Sequence, residues 1–130
     1  VTRGERNNNP LNIRHVPGVI WLGQAAEQTD DAFVQFTDPI YGIRAGARIL
    51  HAYENQGIDT VGEAIDRWAP PNENNSAAYV TDVCQQCSVE PDAVMSLDSI
   101  LPALIKAMIV HENGRNSYTD LQITQGIALA

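Results

Sequence analysis

The segment SILPALIKAMIVHEN, residues 99–113, is the most apolar stretch of the chain and constrains everything around it. A helix that is apolar over most of its surface must be buried, so this segment is expected to be the central helix. Asp98 or Ser99 can cap its start, Pro102 falls in the first turn where proline is tolerated, and Gly114 ends it. A chain of 130 residues, 44% of them hydrophobic, can enclose one such helix in a single modest core, and one domain over residues 1–130 is expected.

Four further helices are marked by their caps and stops. Asp38 followed by Pro39 opens a helix to about residue 55, with Ile43, Ala47, Leu50 and Tyr53 on one side and Gly57 beyond its end. Thr60 and Glu63 form a capping-box pattern for a short helix to Trp68, stopped by Pro70 and Pro71. Asn74 to Ser76 can cap a helix through about Cys87, on which Tyr79, Val83 and Cys87 recur every fourth residue. Thr119 and Gln122 make another box before LQITQGIALA. VIWLGQ (19–24) and FVQF (33–36) read as short strands joined by a broad polar loop, in which Asp30 and Asp31 are turn formers; residues 1–18 read as loop. The expected fold class is therefore mainly α (α+β): about five helices with a small two-stranded β appendage.

The chain carries 16 acidic against 8 basic residues, a net −8. No basic footprint of a nucleic-acid binder is present. No apolar run reaches the roughly 18 residues of a membrane span, so membrane insertion is not expected. The charge is uneven: Arg3, Glu5, Arg6 and Arg14 give residues 1–24 a net +2 on a body of −10. VTRGERNNNP has no apolar signal segment, so the chain is cytosolic when made or has lost its signal, and the starting Val1 suggests a trimmed chain or excised domain. Cys84 and Cys87 form CQQC within a helix, where two side chains turned to core or surface is the plainest reading. The three histidines are scattered, no histidine/cysteine/carboxylate set has metal-ligand spacing, and no cofactor or metal is expected.

Glu112 follows Ile105, Met108 and Ile109 along one side of the central helix, so it extends the apolar face. Burial and the negative helix end would both hold its carboxyl protonated, as a general acid requires. The plain alternative is a glutamate at a frayed end, solvated or paired with Arg115. Glycoside hydrolysis needs such an acid and usually a second carboxylate. Glu5, in ERNNNP, and Glu73, in PPNENN, are candidates, with Glu5 kept charged by Arg3 and Arg6 or engaged in a surface ion pair. Asn7, Asn8, Asn9, Asn12 and Arg14, with Asn74, Asn113 and Tyr118, offer groups that suit sugar hydroxyls, or equally turns and caps.

RGERNNNPLNIR (3–14), WLGQ (21–24), FVQFTDPIYGIRAGARIL (33–50), RWAPPNENNSAAYV (67–80) and IVHENG (109–114) together resemble a family of phage and prophage structural proteins, virion proteins or lysozyme-like peptidoglycan hydrolases. The resemblance spans nearly the whole chain. Lytic transglycosylases and goose-type lysozymes place a catalytic glutamate in a context similar to IVHENG. An asparagine loop similar to NNNPLNIR follows that helix there, whereas here it precedes Glu112, which implies a circularly permuted lysozyme-like fold. Within the family the position of Glu5 is often apolar, and NPLNIR carries Leu11 where NPGNIR is usual. The resemblance implies a peptidoglycan muramidase or lytic transglycosylase. Glu112 would be its acid, Glu5 an assisting carboxylate, and Asn7, Asn8, Asn9, Asn12, Arg14, Glu73, Asn74, Asn113 and Tyr118 its glycan contacts. Peptidoglycan glycan strands and other phage virion or tail proteins are the implied partners. The implied location is the phage virion, acting in the periplasm or cell wall, or an effector delivered there. The competing reading is a non-enzymatic virion structural or cell-wall-binding module.

Overall fold

The computed structural model describes every residue except Glu73. Among the described residues there are six α-helices and one 3-10 turn: α1 (Arg3–Arg6), α2 (Pro39–Asn55), α3 (Val61–Trp68), α4 (Ser76–Cys87), the 3-10 turn (Leu97–Ile100), α5 (Leu101–Asn113) and α6 (Asp120–Ala128). Side-chain caps set most of the starts. Asp38 accepts from the Ile40 amide, Thr60 from Glu63 and Asn75 from Ala78, while Thr119 and Gln122 complete a reciprocal box. Gly114, with φ of 77°, ends α5 in the left-handed conformation that glycine adopts without strain.

α5 is the axis of the molecule. Leu101, Leu104, Ile105, Ala107, Met108 and Ile109 are buried on it, enclosed by α1, α2, α4 and α6. Each of the larger of these side chains contributes roughly 1.5–3 kcal/mol relative to exposure. α6 lies along α2, and α3 packs on α4. The start of α5 differs from the expected one: residues 97–100 form the 3-10 turn, Asp98 lies within it, and Pro102 sits at the opening of the α-helix proper.

The expected β appendage is not formed. Only two isolated bridges occur among the described residues, Arg14 with Phe33 and Gln24 with Phe36. The reason lies in the side chains. Residues 33–36 are extended, but amides take over much of what a strand ladder would do. Asn9 donates to the Val34 carbonyl, Asn8 to Phe36, and Gln28 to Gln35, while the Gln35 amide returns a bond to the Gln28 side chain. The run 19–24 buries no alternating face, since Val19, Ile20 and Leu22 are all exposed. The fold class is therefore all-α rather than α+β.

Residues 1–18 are also more ordered than a loop. Thr2 and Glu5 form a capping box around α1, after which residues 7–14 make a hook laid against α2. Asn8 and Asn12 take the left-handed turns of this hook, at φ of 52° and 53°. Leu11 takes neither, and is instead wholly buried, its side chain filling the space over Gly46. Gly42 lies under the hook so closely that a Cβ there would stand 2.5 Å from the Asn8 carbonyl oxygen.

Candidate functional site

The polar residues singled out in the sequence gather where the hook meets the last turn of α5. Asn12 Nδ2 donates to Glu112 Oε1 at 2.9 Å, across 100 residues of sequence. Asn113 Nδ2 donates to the carbonyls of Pro10 at 2.7 Å and Ile109 at 2.9 Å, and its oxygen accepts from Thr2 Oγ1 at 2.7 Å. The end of α5 is thus bolted to the N-terminal hook by side-chain amides.

Glu5 occupies a neighbouring network. Arg115 Nη2 reaches its Oε1 at 2.8 Å, the Ser117 hydroxyl donates to Oε2, and the Thr2 amide donates to Oε1 at 2.8 Å. These bonds, Arg115 first, hold the Glu5 carboxyl far below the usual carboxylate range. The cation beside Glu5 is therefore Arg115, not Arg3 or Arg6. Arg3 instead forms a two-bond pair with Asp30, whose carboxylate also accepts from Asn7 and from the Ala32 and Phe33 amides. Tyr118 is half-buried, and burial and then the Glu5 charge push its phenol up.

The remaining asparagines are spent inside the hook. Asn9 is completely buried and uses both ends of its amide: Nδ2 donates to Ile13 and Val34 carbonyls, and Oδ1 accepts from the Ile13 amide. Asn7 joins Asp30 to Gln35. Arg14 is exposed and lies over the Phe33 ring, 5.0 Å from its centroid. Glu73 lies outside the described residues.

Glu112 itself is half-buried. Beside it is a cavity of about 240 Å³ lined by Asn74, Asn75, Ala78, Tyr79, His111 and Glu112. Tyr79 stacks on His111 with ring centroids 3.8 Å apart, and His111 Nδ1 contacts Asp82 at 2.9 Å. The buried Tyr79 hydroxyl faces the Glu112 carboxylate without completing a hydrogen bond; burial first, and that negative charge second, raise its pKa. In the sequence Tyr79 reads only as part of a fourth-residue apolar repeat and His111 only as one of three scattered histidines, because their partnership depends on α4 lying beside α5. Asn12 also lines a second cleft of about 310 Å³, with Arg14, Trp21, Tyr53 and Trp68.

This geometry overturns the glycosidase reading. A glycan-cleaving site needs a groove running past the acid and, in most such enzymes, a facing carboxylate. The cavity at Glu112 is smaller than the roughly 300 Å³ at which small-molecule clefts begin, and no second carboxylate among the described residues lines it. Glu5 points into the Arg115–Ser117 network. The β-sheet expected beside such a cleft is missing, so neither a lysozyme-like nor a permuted lysozyme-like architecture describes the chain. Glu112 as general acid and the muramidase or transglycosylase activity fall with it.

No protein-family model matches the chain. It is 41% identical over 127 residues to Protein P5 of Pseudoalteromonas phage PM2, an alignment covering 95% of this chain and 79% of that protein. At that identity and coverage the chain belongs to the same family as Protein P5 of phage PM2, and so to a family of phage proteins.

Proposed function

We propose that the chain is a non-enzymatic structural component of a phage particle. The observation that carries this reading is the likeness to a phage protein over 95% of the chain. Two features of the molecule support it. The carboxylates that could have been reactive are held in scaffold networks that tie α1, the hook and α5 together. In addition, Val16, Val19, Ile20 and Leu22 expose apolar surface along one segment, with Ile20 85% exposed. Such clustered exposure suits packing against a neighbouring protein of the particle.

The test is made in a phage whose genome encodes this chain. Deleting the gene is expected to abolish intact particles, whereas Glu112→Gln, which keeps the side chain's shape, is expected to leave particle yield and plaque formation unchanged. Normal particles without the protein would overturn the proposal. So would normal particle yield with lost infectivity in Glu112→Gln, because that would restore an essential acid.

A second reading, that such a component holds a cell-wall glycan, has one observation in its favour. The cleft of Asn12, Arg14, Trp21, Tyr53 and Trp68 brings three aromatic side chains together with polar ones. Aromatic faces beside polar side chains suit a neutral sugar. Co-sedimentation with purified sacculi, retained by wild type and lost on Arg14→Ala and Trp68→Ala, would support it; equal sedimentation of all three would remove it.

A further inference from the structure

The C-terminal end of α2 and the 3-10 turn meet at a group of ligand-type side chains that the reading above does not use. His51 and Glu54 are three residues apart on α2 and so share a face. Asp98 comes from the 3-10 turn. His51 Nδ1 lies 3.0 Å from Asp98 Oδ2, and one donor atom from each of His51, Glu54 and Asp98 can be chosen so that all lie within 4.8 Å of one another. Ser96, just before the turn, donates its hydroxyl to Glu54 Oε1 at 2.5 Å, fixing that carboxylate toward the cluster.

Charge decides what this arrangement lacks. Two carboxylates are drawn together on an already acidic chain, and no lysine or arginine among the described residues forms an ion pair with either. A histidine can offset at most one of the two charges. A divalent cation offsets both, and the cluster is reachable from water, since the His51 and Asp98 side chains are 52% and 40% exposed.

We propose that His51, Glu54 and Asp98 form a divalent-cation site that clamps the end of α2 to the turn leading into α5. One imidazole and two carboxylates form a borderline set. It suits Zn²⁺ or Mn²⁺ with water completing the coordination, better than all-oxygen Ca²⁺ or Mg²⁺ sites or thiolate-bound soft metals. Zn²⁺ should bind more tightly than Mn²⁺, following the usual order of divalent affinities.

The experiment is calorimetric titration of the chelator-stripped full chain with ZnCl₂ and separately with MnCl₂, MgCl₂ and CaCl₂. One Zn²⁺ per chain is expected, with Mn²⁺ weaker and Mg²⁺ and Ca²⁺ weaker still. His51→Ala and Asp98→Asn should each weaken Zn²⁺ binding at least tenfold, while Cys84→Ser/Cys87→Ser and His111→Ala leave it unchanged. Because a variant could fail to fold, the wild-type chain is also examined by NMR with trace Mn²⁺. Line broadening centred on the amides of residues 51, 54 and 98 is expected. Absence of Zn²⁺ binding, binding that survives His51→Ala and Asp98→Asn, or broadening centred elsewhere would overturn the site.

Discussion

Replacing Asn9 by alanine tests whether the asparagine-rich hook is held together by its amides. Asn9 makes three buried bonds of 2.8–2.9 Å. Their loss does not strand three groups, because the Ile13 carbonyl also accepts from the Val34 amide at 2.9 Å and keeps that bond. Two groups are stranded, the Ile13 N–H and the Val34 C=O. Each costs about 1–3 kcal/mol when buried without a partner. Against this, the variant no longer buries a polar amide or fixes its rotamers, which returns about 1 kcal/mol. The expected net loss is about 3 kcal/mol. With urea m values of about 1–3 kcal/mol/M, the unfolding midpoint followed by far-ultraviolet circular dichroism should fall by about 1 M or more. Asn9→Asp should cost more, since it keeps the acceptor for Ile13 but aims a carboxylate at two carbonyls. Asn55→Ala, at the exposed end of α2, should stay within about 0.5 kcal/mol of wild type. If Asn9→Ala unfolded at the same midpoint as Asn55→Ala, the amide-scaffold reasoning would be refuted.

Three further outcomes follow from the same structure. Gly42→Ala should destabilise by about 1–2 kcal/mol in thermal melts, because overpacking against the Asn8 carbonyl outweighs the gain of about 1 kcal/mol in helix propensity; a stabilised variant would show that the hook does not sit so close. Stability should be flat from neutral pH to about pH 5 and then decline, since Glu5 and Asp30 have folded pKa values below their unfolded values and their contribution is lost as pH falls from near 4.3 toward those lower values. Urea midpoints of Glu5→Gln should fall less steeply over that acid range, and an unchanged slope would count against the Glu5–Arg115–Ser117 network. Finally, the purified chain and Glu112→Gln should both release no soluble fragments from peptidoglycan sacculi, and release by the wild type alone would restore the acid.

What the sequence made legible was whatever depends on neighbouring residues. Asp38–Pro39, Thr60, Asn75 and Thr119 announce helices because a cap acts within three residues of itself, and the observed starts follow them. The Thr2–Glu5 box was equally local, but the asparagines that follow it pointed to loop. FVQF misled for a different reason: an extended apolar run looks the same whether its carbonyls meet a strand or the side chains of Asn8, Asn9 and Gln28. The surroundings of Glu112 were beyond local reading. Its position on the α5 face could be read from spacing, but its partner Asn12 lies 100 residues earlier. The cation cluster was hidden likewise, because Asp98 joins His51 and Glu54 only through the packing of the 3-10 turn on α2.

The most direct test of the account is the copy number of this chain in phage particles purified on density gradients and washed in high salt, measured by mass spectrometry against the major capsid protein. A fixed stoichiometry that survives the wash is the predicted result. Recovery of the chain only in the soluble fraction of the lysate, with none in the banded particles, would contradict a structural role.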